Sequence, residues 1–480
     1  LGVETAVAGT SRRPTEGEPL SKIIGWYQML LRRVLAHFFP EARLEQLGDR
    51  SVIRLNPRRS GANFRVSDDP GGLGLEIEWF RTPYLLQPGV PVPFTTAERR
   101  LIETLAQVID ERFRLLYEQD AELAPQEMLP YAFEDLAVAV YLKTPDASRI
   151  PAALEALRLA ALSTYENRRV STGVLLLGTP NDPTAPERRN PDEAPRYDAH
   201  LTTLKSLHRI CDGVNTVFLV DRRGDLAWPV DIHRWARETQ GERRPTLPCM
   251  CSRTYEPHAR ATRGGGHVAL VLTPAQEIRV FAHGTTTFVY SNGRWRLLDI
   301  PSCFGAWAEA VGRTRPSGLA GRIFQAALNL SEQRRGALFV VLRDPKLSMP
   351  QLLAREDWMS PFGTEEGEEQ HPDDPDALSN RHVKWALHHV VQGQNLPDLD
   401  DAVLEAIAGI DGAVVTDRRG RLLSFGAILR VTAETVLSPR AVQGSRTTAA
   451  LAASFHGPVL KVSEDGYVAM YLGGRRIWEV

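Results

Sequence analysis

Two short sets of residues in this chain carry groups suited to holding an anion, and they occur in the same order. The first is Asp212-Gly213, followed downstream by Ser252-Arg253-Thr254. The second is Asp411-Gly412-Ala413, followed by Gly444-Ser445-Arg446-Thr447-Thr448. An arginine beside Ser and Thr at a loop-to-helix junction puts a permanent charge next to the unpaired amides of a helix N-terminus, which suits phosphate. Each Asp-Gly, taken alone, is also a favoured turn dipeptide.

Other chemistry-bearing residues read more plainly. Cys249-Met250-Cys251 with His258 fits no strong zinc spacing, so Cys211, Cys249, Cys251 and Cys303 are expected to be free, buried or half-buried thiols. His388 and His389 fall in a predicted helix, where adjacent side chains point in different directions. The glycine-rich stretch 263–266 lacks the strand, lysine and helix of a phosphate loop and reads as a turn. Asp221-Arg222-Arg223-Gly224 and Asp417-Arg418-Arg419-Gly420 read as exposed hairpin tips, and the acidic run 365–376 as a solvated loop.

The elements that must position these residues come in two similar runs. In the first, 152–163 is helical, 172–178 is a buried strand, and a proline-rich loop and a helix at 199–209 lead to Asp212. A strand pair around Asp221 and a strand-turn-strand at 267–284 follow. In the second, a helix at 321–331, a strand at 336–342, a long loop and helices at 381–392 and 399–408 lead to Asp411. A strand pair around Asp417 and a strand-turn-strand at 458–474 close the chain. The same order and punctuation, with insertions at the same place, predict an internal duplication packed as a pseudo-dimer. Ahead of it, 21–38 and 94–120 are predicted helices and 74–80 a strand; Thr95 and Glu98 form a capping box over the stripe Leu101, Leu105, Ile109 and Phe113.

The expected fold class is therefore α/β. Two tandem mixed-sheet α/β domains, 145–300 and 315–480, carry helices on their sheet faces, and a smaller α+β region, 1–130, precedes them.

The second run resembles the diadenylate cyclase domain of the DisA type, over roughly 315–480. The resemblance is carried by Gly336-Ala337-Leu338-Phe339-Val340-Val341, by Asp411-Gly412-Ala413, by Gly444-Ser445-Arg446-Thr447-Thr448-Ala449-Ala450, and by Val462-Ser463-Glu464-Asp465-Gly466. In that family two facing domains each hold one ATP, and the products are cyclic di-AMP and pyrophosphate. The resemblance implies that Asp411 works with a divalent metal, Mg or Mn, and is catalytic if the chain is a cyclase. It implies that Gly444, Ser445, Arg446, Thr447 and Thr448 line the phosphates beside Asp411, Gly412 and Ala413. The family's Arg-His-Arg is here Arg446-Thr447-Thr448, so two charged groups are lost. Losing one contact of this kind commonly costs about 2.7–4 kcal/mol in a transition state. The first run departs further: Asp212 and Gly213 remain, Arg253 and Thr254 follow Ser252, and no glycine precedes that serine.

These departures favour a sensor that binds a nucleotide or cyclic dinucleotide without a cofactor. The alternatives are an active diadenylate cyclase, which would require a homodimer, and a structural scaffold with vestigial pockets. With 480 residues, 43% hydrophobic content and a net charge of −2, the chain is an ordinary globular protein. The near-neutral balance gives no strong nucleic-acid signal. The longest apolar runs, 267–272 and 336–342, fall far short of the roughly 20 residues of a membrane helix. Residues 1–20 lack the basic start and apolar core of a signal peptide, and the expected location is cytoplasmic.

Overall fold

The computed structural model describes residues 20–48, 63–117 (except 81 and 90), 131–178 (except 145–148 and 166), 194–199, 210–312 (except 242–247 and 265), 318–359, 388–431 (except 392) and 444–480. The expected helices at 199–209 and 381–392 lie largely outside these residues, as do the proline-rich loop and the acidic run. The chain divides into two compact units, Leu1–Leu142 and Lys143–Val480.

In the first unit, strands β1 (Arg43–Gln46), β2 (Phe64–Asp68), β3 (Leu75–Trp79) and β4 (Thr82–Gln87) form an antiparallel sheet in the order β1-β4-β3-β2. Only β3 was legible as a strand, because its alternation puts Leu75, Ile77 and Trp79 on one buried face. Helices Leu20–Phe38, Thr96–Tyr117 and Phe133–Tyr141 accompany the sheet. The capping box is formed: the Glu98 amide donates to Thr95 Oγ1 at 3.1 Å, and the Thr95 amide to Glu98 Oε2 at 2.7 Å.

The second unit contains two large sheets of similar strand order. A short ladder, β5 (Thr164–Tyr165) and β6 (Arg168–Arg169), precedes the first large sheet. That sheet comprises β7 (Thr172–Leu176), β8 (Thr216–Val220), β9 (Leu226–Asp231), β10 (Val268–Leu272), β11 (Ile278–Ala282), β12 (Thr285–Ser291) and β13 (Arg294–Leu297). The second sheet comprises β14 (Ala337–Leu342), β15 (Ala413–Asp417), β16 (Leu422–Ala427), β17 (Val459–Val462), β18 (Val468–Leu472) and β19 (Arg475–Glu479).

Read from one edge, the orders are β9-β8-β7-β10-β11-β12-β13 and β16-β15-β14-β17-β18-β19. The pairs β7/β8 and β14/β15 are parallel, and every other pair in both sheets is antiparallel. A parallel pair needs a crossover, which is why the long connections fall between β7 and β8 and between β14 and β15. The fold is therefore α/β, with two tandem mixed-sheet repeats after a smaller α+β region.

Each central strand is buried on both faces, and alternate residues serve different layers. Phe339 and Val341 pack with helices Ile300–Val311, Leu319–Glu332 and Asp401–Ala408. Leu338, Val340 and Leu342 pack with helices Pro345–Leu352 and Ser445–Ala453. In the first repeat, Leu175, Leu177, Val217 and Leu219 pack with helices Ile232–Gln240 and Glu256–Ala261, while helix Arg149–Ala161 lies on β7 and β10. Strands β12, β13 and β19 and helix Ile300–Val311 had not been foreseen.

The two Asp-Gly pairs are not equivalent. From Asp-Gly to the hairpin aspartate the first repeat spans 212 to 221, and the second only 411 to 417. The three extra residues form a turn before β8. A Cβ on Gly213 would meet the Thr172 carbonyl at 2.5 Å, whereas one on Gly412 would meet the Gly426 backbone at 2.4 Å. The glycines thus press on different neighbouring strands.

Candidate functional site

In the second repeat, Asp411 stands at the entrance to β15. Gly412 has φ +119 and lies against the bulged end of β16, at Gly426 and Ala427, so the chain can pass only as glycine. Ala413 is fully buried in the core. Gly444 precedes helix Ser445–Ala453, and its carbonyl accepts from the Thr447 and Thr448 amides at 2.9 and 3.3 Å. The amides of Ser445 and Arg446 are orphan donors of the first turn.

Arg446 gathers the site. Its Nη2 is 3.2 Å from Asp411 Oδ1, and its Nη1 is 2.6 Å from Glu464 Oε1 on the β17–β18 turn. The guanidinium lies flat against Gly336, where a Cβ would come within 2.1 Å of Nη1. Both carboxylates are open to solvent, with side chains 94% and 71% exposed, so an entering anion could reach the guanidinium by displacing them.

Thr447 turns inward. Lys461 Nζ, from β17, donates to Thr447 Oγ1 at 3.0 Å and lies 5.9 Å from the Tyr471 ring. Burial lowers the Lys461 pKa, which nearby Glu479 partly opposes. Lys461 therefore puts a second cation behind the first turn of the helix, from a position that sequence reasoning passed over. A lysine flanked by Leu460 and Val462 in a buried strand was the available signal. Glu464 and Gly336 were seen as parts of the resemblance and not as parts of a site.

In the first repeat the corresponding residues do not come together. Asp212 Oδ1 accepts from the amides of Val214, Asn215 and Thr216 at 2.9, 2.7 and 2.9 Å, and Oδ2 from Asn215 Nδ2 at 2.7 Å. Burial would raise its pKa, but the hydrogen bonds from Thr216, Asn215 and Val214 outweigh that and hold it at about 2. The carboxylate is thus committed to its own turn. Arg253 pairs with Asp401 of the second repeat, and Thr254 is exposed on the short turn Arg253–Tyr255.

The remaining candidates have local roles. Asp221 Oδ1 caps the amides of Arg223 and Asp225, and Asp417 Oδ1 those of Arg419 and Arg421, so both basic pairs sit on hairpin tips. All four cysteines are buried, and none forms a disulfide. His388 Nε2 is 3.0 Å from the Phe425 carbonyl. Among the described residues no cluster of three or more His, Cys, Asp or Glu is placed to hold a metal ion, and no helix is long and apolar enough to cross a membrane. Asp411 and Glu464 converge, but a guanidinium lies between them. That donor set does not by itself make a divalent-metal centre.

No protein-family model matches the chain, and no curated protein matches it. Among solved structures, the chain is similar to one described as a hypothetical membrane spanning protein from Bacillus cereus. The identity is 23%, over 37% of this chain and 71% of that one, with a TM-score of 0.24. It is also similar to a double mutant of DacA from Staphylococcus aureus, at 18% identity over 33% of this chain and 84% of that one, with a TM-score of 0.19.

Proposed function

We propose that the second repeat, within residues 315–480, is a binding module for a nucleotide or cyclic dinucleotide on a catalytically degenerate diadenylate cyclase-like fold. The phosphates sit at the N-terminus of helix Ser445–Ala453, against Arg446 and the amides of Gly444, Ser445 and Arg446. Asp411, Gly412 and Glu464 form the rim. The observation that supports this is the meeting of Arg446 and Asp411, 3.2 Å apart, from segments 35 positions apart in sequence, with Gly336 making room for the guanidinium. Thr447 and Ala413 serve from behind, through the Lys461 contact and the core.

A cyclase is the second reading, and the paired inward commitment of Thr447 and Lys461 weighs against it. Thr447 stands where the family has histidine, and its hydroxyl faces the protein instead of the ligand. Incubation of the purified full chain with ATP and manganese, with products resolved by chromatography, separates the two. Thermal shifts with ATP and with cyclic di-AMP run alongside. Stabilisation by one of them, lost in Arg446→Ala and without product, is the expected result. Cyclic di-AMP formation abolished by Asp411→Asn would make the chain a cyclase; neither product nor shift would leave the scaffold reading.

A further inference from the structure

The surface of the first repeat that corresponds to the Arg446 surface of the second is filled from within the same chain. Helix Glu256–Ala261 lies on the first sheet as helix Ser445–Ala453 lies on the second, and Ser252-Arg253-Thr254 leads into it. Helix Leu319–Glu332, from the opposite face of the second repeat, docks on that entrance.

The docking is polar and specific. Gln325, 1% exposed, accepts from the Cys249 amide at 2.7 Å and donates to the Cys251 carbonyl at 3.0 Å. One helical turn later, Asn329 Oδ1 accepts from the Arg253 amide at 2.9 Å and from Gln325 Nε2 at 3.0 Å. Asn329 Nδ2 donates to Glu405 Oε1 at 2.6 Å. The Arg253 guanidinium meets the Asp401 carboxylate, which also pairs with Arg322. Arg334 to Glu277 at 2.6 Å, Arg279 to Glu332 at 2.7 Å, and Arg296 over the Tyr467 ring at 4.1 Å join the same two repeats.

Two buried amides on one helix face are tolerated only where both ends of each are bonded, so this face is built for the segment it reads. Helix Arg149–Ala161, its counterpart in the first repeat, contains neither Gln nor Asn. The interface is therefore heterologous: different faces meet, and the arrangement is not the two-fold pairing that a pseudo-dimer would make.

We infer that the first repeat is a docking module. The surface that corresponds to the Arg446 seat is taken over by helix Leu319–Glu332, Asn329 and Asp401 hold the amide and the guanidinium of Arg253, and of the two Ser-Arg-Thr junctions only that of Arg446 is left open as an anion seat. The count of seats rests on the proposed function; the docking does not.

Hydrogen exchange on the full chain tests the docking. In Gln325→Ala/Asn329→Ala, exchange at the Cys249 and Arg253 amides should rise at least about tenfold, while strands β7 and β10 stay protected. Unchanged exchange at these two amides would overturn the inference. If the double variant does not fold, Asn329→Ala alone should release Arg253 and spare Cys249, and an unmoved Arg253 overturns it equally. Titration calorimetry with ATP then counts seats: one per wild-type chain is expected, and two would refute the takeover. If neither ATP nor cyclic di-AMP binds, the ligand reading falls and the exchange result alone decides the docking.

Discussion

The Arg446 guanidinium bridges two carboxylates, and the Asp411 contact at 3.2 Å is the weaker geometrically, beside 2.6 Å to Glu464. Because both partners are largely exposed, the bridge contributes little to folding, about 1 kcal/mol or less. Arg446→Ala should therefore shift the urea midpoint only slightly, while abolishing any stabilisation by a nucleotide. A loss of several kcal/mol without ligand would show that the residue is structural and would remove the basis for a seat there.

The glycines around this seat separate backbone need from ligand need. Gly412→Ala places a Cβ 2.4 Å from the Gly426 backbone at φ +119 and should cost about 1–3 kcal/mol from the conformation alone, with the clash added. At Gly444 a Cβ meets nothing within 4 Å, so Gly444→Ala should cost only the preference of an N-cap for glycine over alanine, about 0.5–1 kcal/mol. Denaturant titration of the two variants checks the pair. Equal stabilities would mean that the bulge beside Gly426 relaxes.

Much of this architecture was legible in the sequence because it follows from periodicity and punctuation. The buried runs around Val174 and Val340, the capping box at Thr95 and the hairpins at Asp221 and Asp417 all announce themselves locally. The equivalence of Asp212 and Asp411 was misleading, since Asp-Gly favours any turn and three residues of loop displace one pair against its strand. Arg253 could not be assigned from the sequence either. Its partner Asp401 lies 148 positions away, and pairing between repeats leaves no local pattern. Lys461 was missed for a related reason: a charged residue inside an apolar strand is visible, but where its ammonium ends is set by the helix packed above it.

Asp212 offers a test of its own turn. Its folded-state pKa of about 2 lies below the ordinary 3.8, so its contribution is fully present above pH 3.8 and is lost as pH falls through about 2. The group is partly exposed, so solvent screening reduces the contribution to about 1 kcal/mol. Asp212→Ala should be less stable than wild type by that amount at neutral pH, and the gap should close below about pH 4. A gap that persists unchanged at pH 3 would assign the loss to packing and not to the carboxylate.

His258 sets a broader pH limit. Its ring is fully buried, 5.5 Å from the rings of both Tyr255 and Phe281, and among the described residues neither nitrogen has a hydrogen-bond partner of normal geometry. Burial lowers its pKa from 6.5 to about 3; the Gly213 backbone and Asp212 oppose the shift, and His233 adds to it. The folded state therefore holds the neutral imidazole. Its contribution is intact above pH 6.5 and declines as pH falls towards 3, by up to about 1.4 kcal/mol per pH unit. His258→Phe keeps an aromatic ring between Tyr255 and Phe281 and cannot take the proton. The urea midpoint of the variant should fall less between pH 6.5 and 4.5 than that of wild type. Parallel curves over that interval would mean that the ring protonates without opening the core, and that the helix Glu256–Ala261 moves to let water reach it.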